Sequence, residues 1–270
     1  MLRTRALHLM VLGLLMAALS SGGCAPSKAK PKPDSDSTDA QSTYAVAEAY
    51  MVERKWNKAL DRFQMVNTRD REMRAQVHLR MADAYFEKGG VLDIAEAQGR
   101  YLSFLNSFPL SDQASYAQFR FAQCLQTQIS KPERDQSSTQ RAMGEFRKVS
   151  ELYPNSAWVD EAAAEMRALK DHLSEDAMFK ARFYYKRKRF NAAEGRLRDI
   201  LSANPRWESR PEVLYLLGMA MRIRGQVPDG EAILRQVLDE SPESEWGRKA
   251  HKVLAKAGAL SEQPAAADAG

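Results

Sequence analysis

One spacing recurs through this chain: a small residue, a large apolar residue four positions on, another seven on, and a proline twelve on. Ala97, Tyr101, Phe104 and Pro109 form one copy, and Ala142, Phe146, Val149 and Pro154 the next. Ala193, Leu197, Ile200 and Pro205 follow, then Gly230, Leu234, Val237 and Pro242. Ala59, Phe63 and Val66 begin a further copy, with Arg71 at the proline position. Steps of four and seven place these side chains on one face of a helix, and the proline ends it. No alternating run long enough for a strand accompanies them. The pattern therefore predicts an all-α array.

Ahead of each such helix lies a second apolar-periodic segment, such as Met81, Ala82 and Tyr85 before Ala97, or Leu214, Leu217, Gly218 and Met221 before Gly230. Tyr50 to Ala59 and Met221 to Gly230 are nine-residue steps; Tyr85 to Ala97 is three longer, with Gly89-Gly90-Val91-Leu92-Asp93 taking up the difference. Paired segments of this kind resemble the tetratricopeptide helix–turn–helix, in which small residues let helices approach and large ones fill the space between repeats. The expectation is a tetratricopeptide-like helix-pair solenoid of about five repeats. Intervals of 45, 51 and 37 residues between the terminating prolines make it an irregular array.

Two departures interrupt the cadence. A polar insertion, Gln126 to Thr139, replaces a tight turn. Pro154 to Tyr185 spans 31 residues where Pro205 to Met221 needs 16. The extra length adds about four helical turns, either broken near Ser174 or forming one helix of about 46 Å from Ala157 to Arg187.

The ends of the chain are of another character. Arg3 and Arg5 precede an apolar run from Leu9 to Leu19, followed by Ser21-Gly22-Gly23-Cys24. Residues 1–23 read as a secretory signal peptide, too short for a comfortable bilayer span. Small residues before a cysteine resemble the bacterial lipobox, although Ser21 stands where leucine is usual. That resemblance implies acylation of Cys24. Ala25, rather than Asp, at the next position implies sorting to the outer membrane. Residues 24–42, rich in Pro, Ser and Lys, read as a disordered tether, and residues 258–270 as a disordered tail. Between them lie an N-terminal half, 43–172, and a C-terminal half, 173–257.

A search for catalytic chemistry finds none. His78, His172 and His251 are far apart, and no HExxH, CxxC, Gly-x-Ser-x-Gly or phosphate-cradling glycine loop occurs. Asp160, Glu161 and Glu165 read as a solvated helix face. With Cys24 acylated, only Cys124 remains, on the apolar stripe of Phe121 and Leu125, and it reads as buried filler. No catalytic residue, metal site or cofactor other than the lipid on Cys24 is expected. A formal charge of +5 does not demand nucleic acid.

The strongest local feature is Phe179-Lys-Ala-Arg-Phe-Tyr-Tyr-Lys-Arg-Lys-Arg-Phe190. Periodicity turns Phe179 and Phe183 inward and Lys180, Arg187 and Arg189 outward. Three readings stand for the segment: core with a surface for an acidic partner or headgroup, a plain solvated helix end, and a nucleic-acid strip. This periodicity and the exported address both argue against the last, so no nucleic-acid partner is expected. Trp158 and Trp246, each four residues after a proline, read as structural staples.

A family resemblance joins these features. Arg134-Asp135-Gln136 with Thr139, then Ala142, Phe146 and Tyr153-Pro154-Asn155-Ser156, are followed by Tyr184-Tyr185-Lys186-Arg187 and Phe190-Asn191-Ala192-Ala193-Glu194-Gly195-Arg196. In this order and spacing, over residues 43 to 250, the chain resembles the BamD-type (ComL/YfiO) lipoproteins of outer-membrane β-barrel assembly. The resemblance implies a non-enzymatic scaffold, lipid-anchored on the periplasmic face of the outer membrane. Its C-terminal repeats would dock on a POTRA domain of BamA through Arg196, with Lys186 and Arg187 beside it. Its N-terminal repeats would bind unfolded outer-membrane proteins, with Tyr50, Trp56 and Tyr85 as groove candidates or, equally, inter-repeat core. Other lipoproteins of the assembly complex would be partners. A second function for the same fold and address is a tetratricopeptide lipoprotein that coordinates envelope or peptidoglycan remodelling enzymes.

Overall fold

In the computed structural model, which describes residues 35–258 with side chains from Asp39, eleven helices and no strand occur among the described residues. The signal peptide, Cys24 and nearly all of the tail lie outside the described residues. Five helix pairs follow in order: α1 (Ser35–Val52) with α2 (Trp56–Gln64), α3 (Arg71–Lys88) with α4 (Val91–Ser107), and α5 (Ala114–Gln126) with α6 (Ser137–Leu152). α7 (Val159–Lys186) pairs with α8 (Phe190–Ala203), and α9 (Arg210–Ile223) with α10 (Val227–Glu240). An eleventh helix, α11 (Glu245–Lys256), packs on α10 and α9 and covers the last pair. The repeat pattern gave no signal for it beyond the Trp246 staple.

The recurring triplets are the core. Ala97, Tyr101, Phe104, Ala142, Phe146, Val149, Ala193, Leu197, Leu234 and Val237 are all fully buried. Burying a large apolar side chain contributes about 1.5–3 kcal/mol, so these positions carry much of the stability of the array. Each terminating proline stands two residues past a helix end: Pro109 after α4, Pro154 after α6, Pro205 after α8 and Pro242 after α10. Where the first pair lacks one, Asp70 does the positional work. Its carboxylate accepts from the Glu72 backbone N–H at 3.0 Å and caps α3, so Arg71 is the first residue of the next helix.

Two expected boundaries move. α1 starts at Ser35, inside the segment 24–42 read as tether; Ala40 is already buried, and a buried alanine holds that turn in register. α7 runs unbroken through 28 residues, about 42 Å at 1.5 Å per residue, with no break at Ser174. Ser174 is buried, its hydroxyl donating to the Lys170 carbonyl at 2.8 Å and accepting from Asn204 Nδ2 at 3.1 Å. Returning its hydrogen bond to its own helix lets a serine sit inside α7 without ending it. The described residues from Asp36 onward form one compact unit, and the division between halves at 172/173 falls within α7. Ala162 and Leu169 of α7 join the core built by α3–α6, whereas Met178 and Ala181 join the core with α8 and α9.

The nine-residue step has a backbone explanation. In the α1–α2, α7–α8 and α9–α10 turns the middle residue is left-handed: Arg54 and Lys188 at φ 57° and Gly225 at φ 87°. The next N–H returns to the carbonyl of Tyr50, Tyr184 or Met221, at 2.9, 2.9 and 3.0 Å. The α3–α4 connection is shorter, only Gly89 and Gly90, both left-handed, and Lys88 closes it on Asp93 at 2.9 Å. Val91, Leu92 and Asp93, expected to take up the extra length in the turn, form the first turn of α4 instead. The polar insertion is tied down as well. Gln136 Nε2 donates to the carbonyls of Lys131, Pro132 and Arg134, and its Oε1 accepts from Thr139. α6 begins at Ser137, so the last residues of the expected insertion are helical.

Gly230, where alanine is usual in such repeats, faces Gly218 across α9 and α10. A Cβ on Gly218 would lie 2.8 Å from the Gly230 carbonyl oxygen, and one on Gly230 would lie 2.7 Å from the Gly218 carbonyl. The close approach of the two backbones excludes any side chain at either position.

Candidate partner-docking surface

The last turns of α7 and the start of α8 carry the most concentrated charge in the array. Lys186, Arg187, Lys188 and Arg189 are four consecutive exposed cations, and none has a carboxylate within ion-pair distance among the described residues. The neighbouring cations are engaged. Arg182 grips Glu212 with two bonds of 2.7 and 2.5 Å, Lys180 reaches Asp176 at 2.5 Å, and Arg198 and Arg224 share Glu194.

Arg196 is half-buried on α8 and pairs with no carboxylate; its guanidinium lies 5.2 Å from the centre of the Tyr184 ring. Tyr184 meets Phe183 edge-on at 5.5 Å, and Arg187 lies over Phe183 at 5.1 Å. The structure thus links Arg196 and Arg187 through two aromatic rings, with Lys186 beside them. Cation–π contacts of this kind hold a guanidinium in place while leaving its N–H fork for an external acceptor.

One orientation is corrected. Phe179 and Phe183, expected to turn inward, are each 49% exposed. Their spacing does put them on one face of α7, but the face that meets α8 and α9 is that of Ser174, Met178 and Ala181. At about 100° per residue the phenylalanines lie on the other side of the helix. The small and medium residues of the 174–178–181 stripe were the available signal, outweighed by the size of the aromatic rings.

Tyr50, Trp56 and Tyr85 are half-buried at the edge of the cluster formed by Ala47, Ala59, Phe63 and Met81. Lys58 stands 5.8 Å from the Tyr50 ring centre and Arg100 4.9 Å from that of Tyr85. Trp56 borders a cleft of about 310 Å³ shared with Arg54, Lys55, Lys58 and Lys88. All three pack one part of the ring and expose another. Trp158 and Trp246 pack as staples: Trp158 stacks on Phe119 at 5.0 Å, and Trp246 lies 5.3 Å from Tyr215. Cys124 is fully buried, and burial pushes its thiol up to about 12.

A polar network across the first three pairs had no signature in the sequence. Asp83, 3% exposed, accepts from the Tyr101 hydroxyl at 2.6 Å, the Tyr116 hydroxyl at 2.9 Å and Arg80 Nη1 at 2.8 Å. Arg80 also holds Glu48 of α1 with two bonds of 2.7 and 2.8 Å, and Arg120 of α5 reaches Glu87 of α3 at 2.7 Å. Burial and the facing carboxylate push the Tyr101 and Tyr116 hydroxyls well above the usual phenol range. Among the described residues, no group of three or more His, Cys, Asp or Glu is placed to hold a metal ion, and no helix is long and apolar enough to cross a membrane.

Comparison with known proteins places this architecture. A family model described as YfiO, outer membrane lipoprotein, matches residues 36–232. Outer membrane protein assembly factor BamD of Caulobacter vibrioides is 27% identical over 203 residues, covering 75% of this chain and 66% of that protein. The Neisseria gonorrhoeae protein of the same name is 25% identical over 237 residues, covering 84% of this chain and 87% of its own. The Vibrio cholerae one is 31% identical over 88 residues, 33% of this chain and 36% of its own. The chain thus spans just under two thirds of the Caulobacter relative and about a third of the Vibrio one. Among solved structures, the TPR2AB domain of yeast Sti1 in its pHSP90 complex aligns with 83% of this chain and 88% of its own, at 12% identity and a TM-score of 0.47. The family match takes in the array from α1 to the first turn of α10, and with it the insertion and the cationic turn: the chain belongs to the YfiO family of outer membrane lipoproteins.

Proposed function

We infer that this protein is a non-enzymatic scaffold of outer-membrane β-barrel assembly, holding the BamA insertase through its C-terminal repeats. The observation that carries the reading is Arg196, held over Tyr184 without a carboxylate of its own while Arg198 and Arg224 beside it share Glu194. A guanidinium so placed suits a carboxylate on a POTRA domain, which it can meet with two parallel hydrogen bonds. Arg187 and Lys186 extend the same positive surface. The naming of the Caulobacter and Neisseria relatives as assembly factors supports the role.

The N-terminal repeats take the client. Exposed parts of Tyr50, Trp56 and Tyr85, each close to cationic side chains, suit an extended apolar–aromatic peptide with a terminal carboxylate. An acylated Cys24 holds both sites at the periplasmic face of the outer membrane. Two-ended binding raises the effective concentration of client at the insertase. The test is charge reversal, Arg196→Glu, in the full-length lipoprotein, followed by recovery of BamA from solubilised outer membranes. Loss of BamA with lipidation and helicity retained is the expected result; undiminished BamA recovery overturns the site assignment.

A further inference from the structure

α7 outruns its neighbours. At 28 residues it is about twice as long as α5, with 13, and α8, with 14. Its first half packs against the preceding repeat: Leu169 joins that core, and Glu165 accepts from Gln126 of α5 at 2.7 Å. Steps of three and four carry this stripe onward through Asp176, Phe179, Phe183 and Arg187. Beyond Asp176 the same face emerges from cover, with both phenylalanines 49% exposed. The cover that the preceding repeat supplies to this face therefore ends before α7 does.

The stripe is also unfinished in its polar groups. Asp176 is 8% exposed, and its Oδ1 is enclosed without a hydrogen-bond partner, as is Nε2 of His172 one turn below. Arg187 lies over Phe183 at 5.1 Å, and none of Lys186, Arg187, Lys188 and Arg189 at this end of α7 has a carboxylate within ion-pair distance among the described residues. Exposed aromatic rings flanked by arginine are the composition of interface hot spots.

Resting on the docking reading above, we propose that Phe179 and Phe183 are the apolar anchor of that docking surface. They seat a segment of the partner protein that carries an apolar ridge bordered by carboxylates, in the position a preceding repeat would occupy. The phenylalanines supply affinity by leaving water, and the cations choose an acidic partner and orient it. Arg196 acts at one edge of this surface, not at its centre.

Two measurements on the full-length lipoprotein in cells test this. In the first, Phe183→p-benzoylphenylalanine is photolysed and the adduct sequenced, with the same probe at Leu110, 93% exposed, as control. Adducts at 183, absent at 110, are expected on an Asp/Glu-rich segment of the POTRA-bearing partner. In the second, the double variant Phe179→Ser with Phe183→Ser is expected to recover at least about tenfold less of that partner, with unchanged helicity. Adducts confined to lipid, to residues 259–270 or to a second copy, no adduct at all, or wild-type recovery by the double variant overturn the proposal. If Arg196→Glu abolishes partner recovery while the double variant retains it, only this inference fails. If both variants retain the partner, the docking reading fails with it.

Discussion

Asp83→Asn is the most informative perturbation of the array, because the replacement keeps the shape and changes only charge and one hydrogen-bonding group. Asn Oδ1 can still accept from the hydroxyls of Tyr101 and Tyr116, now at 2.6 and 2.9 Å. Its amide N–H, however, faces the Arg80 Nη1 donor that the carboxylate accepts from at 2.8 Å. Losing that charge-assisted bond costs about 1.5–3 kcal/mol. Removing the negative charge weakens the two tyrosine bonds by about 0.5 kcal/mol each. Arg80 is not left unpaired, since Glu48 still holds it with two bonds, so no further penalty is due there. The expected loss is about 3 kcal/mol, or about 10 °C in Tm for an array of this size. Thermal unfolding followed by circular dichroism measures it, and a double-mutant cycle with Tyr101→Phe should show a coupling of about 1 kcal/mol. Helix-pair arrays are stabilised through nearest neighbours, so hydrogen exchange should accelerate in α1–α5 and leave α9–α11 protected. A Tm within about 2 °C of wild type, or uniform loss of protection, would refute the assignment of Asp83 as the clamp of the first three pairs.

Gly218→Ala is expected to cost about 2–3 kcal/mol, because its Cβ meets the Gly230 carbonyl at 2.8 Å and Leu234 at 2.9 Å. Gly99→Ala, with nothing within 4 Å, is expected instead to stabilise by up to about 1 kcal/mol, and urea unfolding of the two variants reads the contrast. His78 gives a pH signature: burial first, then Arg100 and Arg74, hold its imidazole below the usual value of 6.5. As pH falls through that value the unfolded chain takes up the proton first, so the stability present above it is lost on acidification. The unfolding midpoint is expected to drop between about pH 7.5 and 5.5, and His78→Gln to shrink that drop.

Much of this protein was written locally. The 4–7–12 cadence located the buried triplets, from Ala97, Tyr101 and Phe104 to Gly230, Leu234 and Val237, and their prolines marked four helix ends. Periodicity and termination act within one or two helical turns, so a linear reading detects them directly. Order and spacing of the Arg-Asp-Gln insertion and the Tyr-Tyr helix end carried the family resemblance, and the family match bears it out.

Tertiary structure decided the rest, and for one physical reason. A period names a stripe on a helix but not the neighbour that covers it. Phe179 and Phe183 obey the same four-residue step as Met178's buried stripe, yet α8 and α9 lie on the other side of α7 and leave them in water. Ser174, held inside α7 by its bond to the Lys170 carbonyl, also accepts from Asn204, 30 residues away, a partner that only packing supplies. The glycine at 230 was set by a second glycine on α9, and the Asp83 clamp by a tyrosine 33 residues downstream. Contacts between helices fix which face is core and which is left for a partner, and those contacts exist only once the pairs have packed.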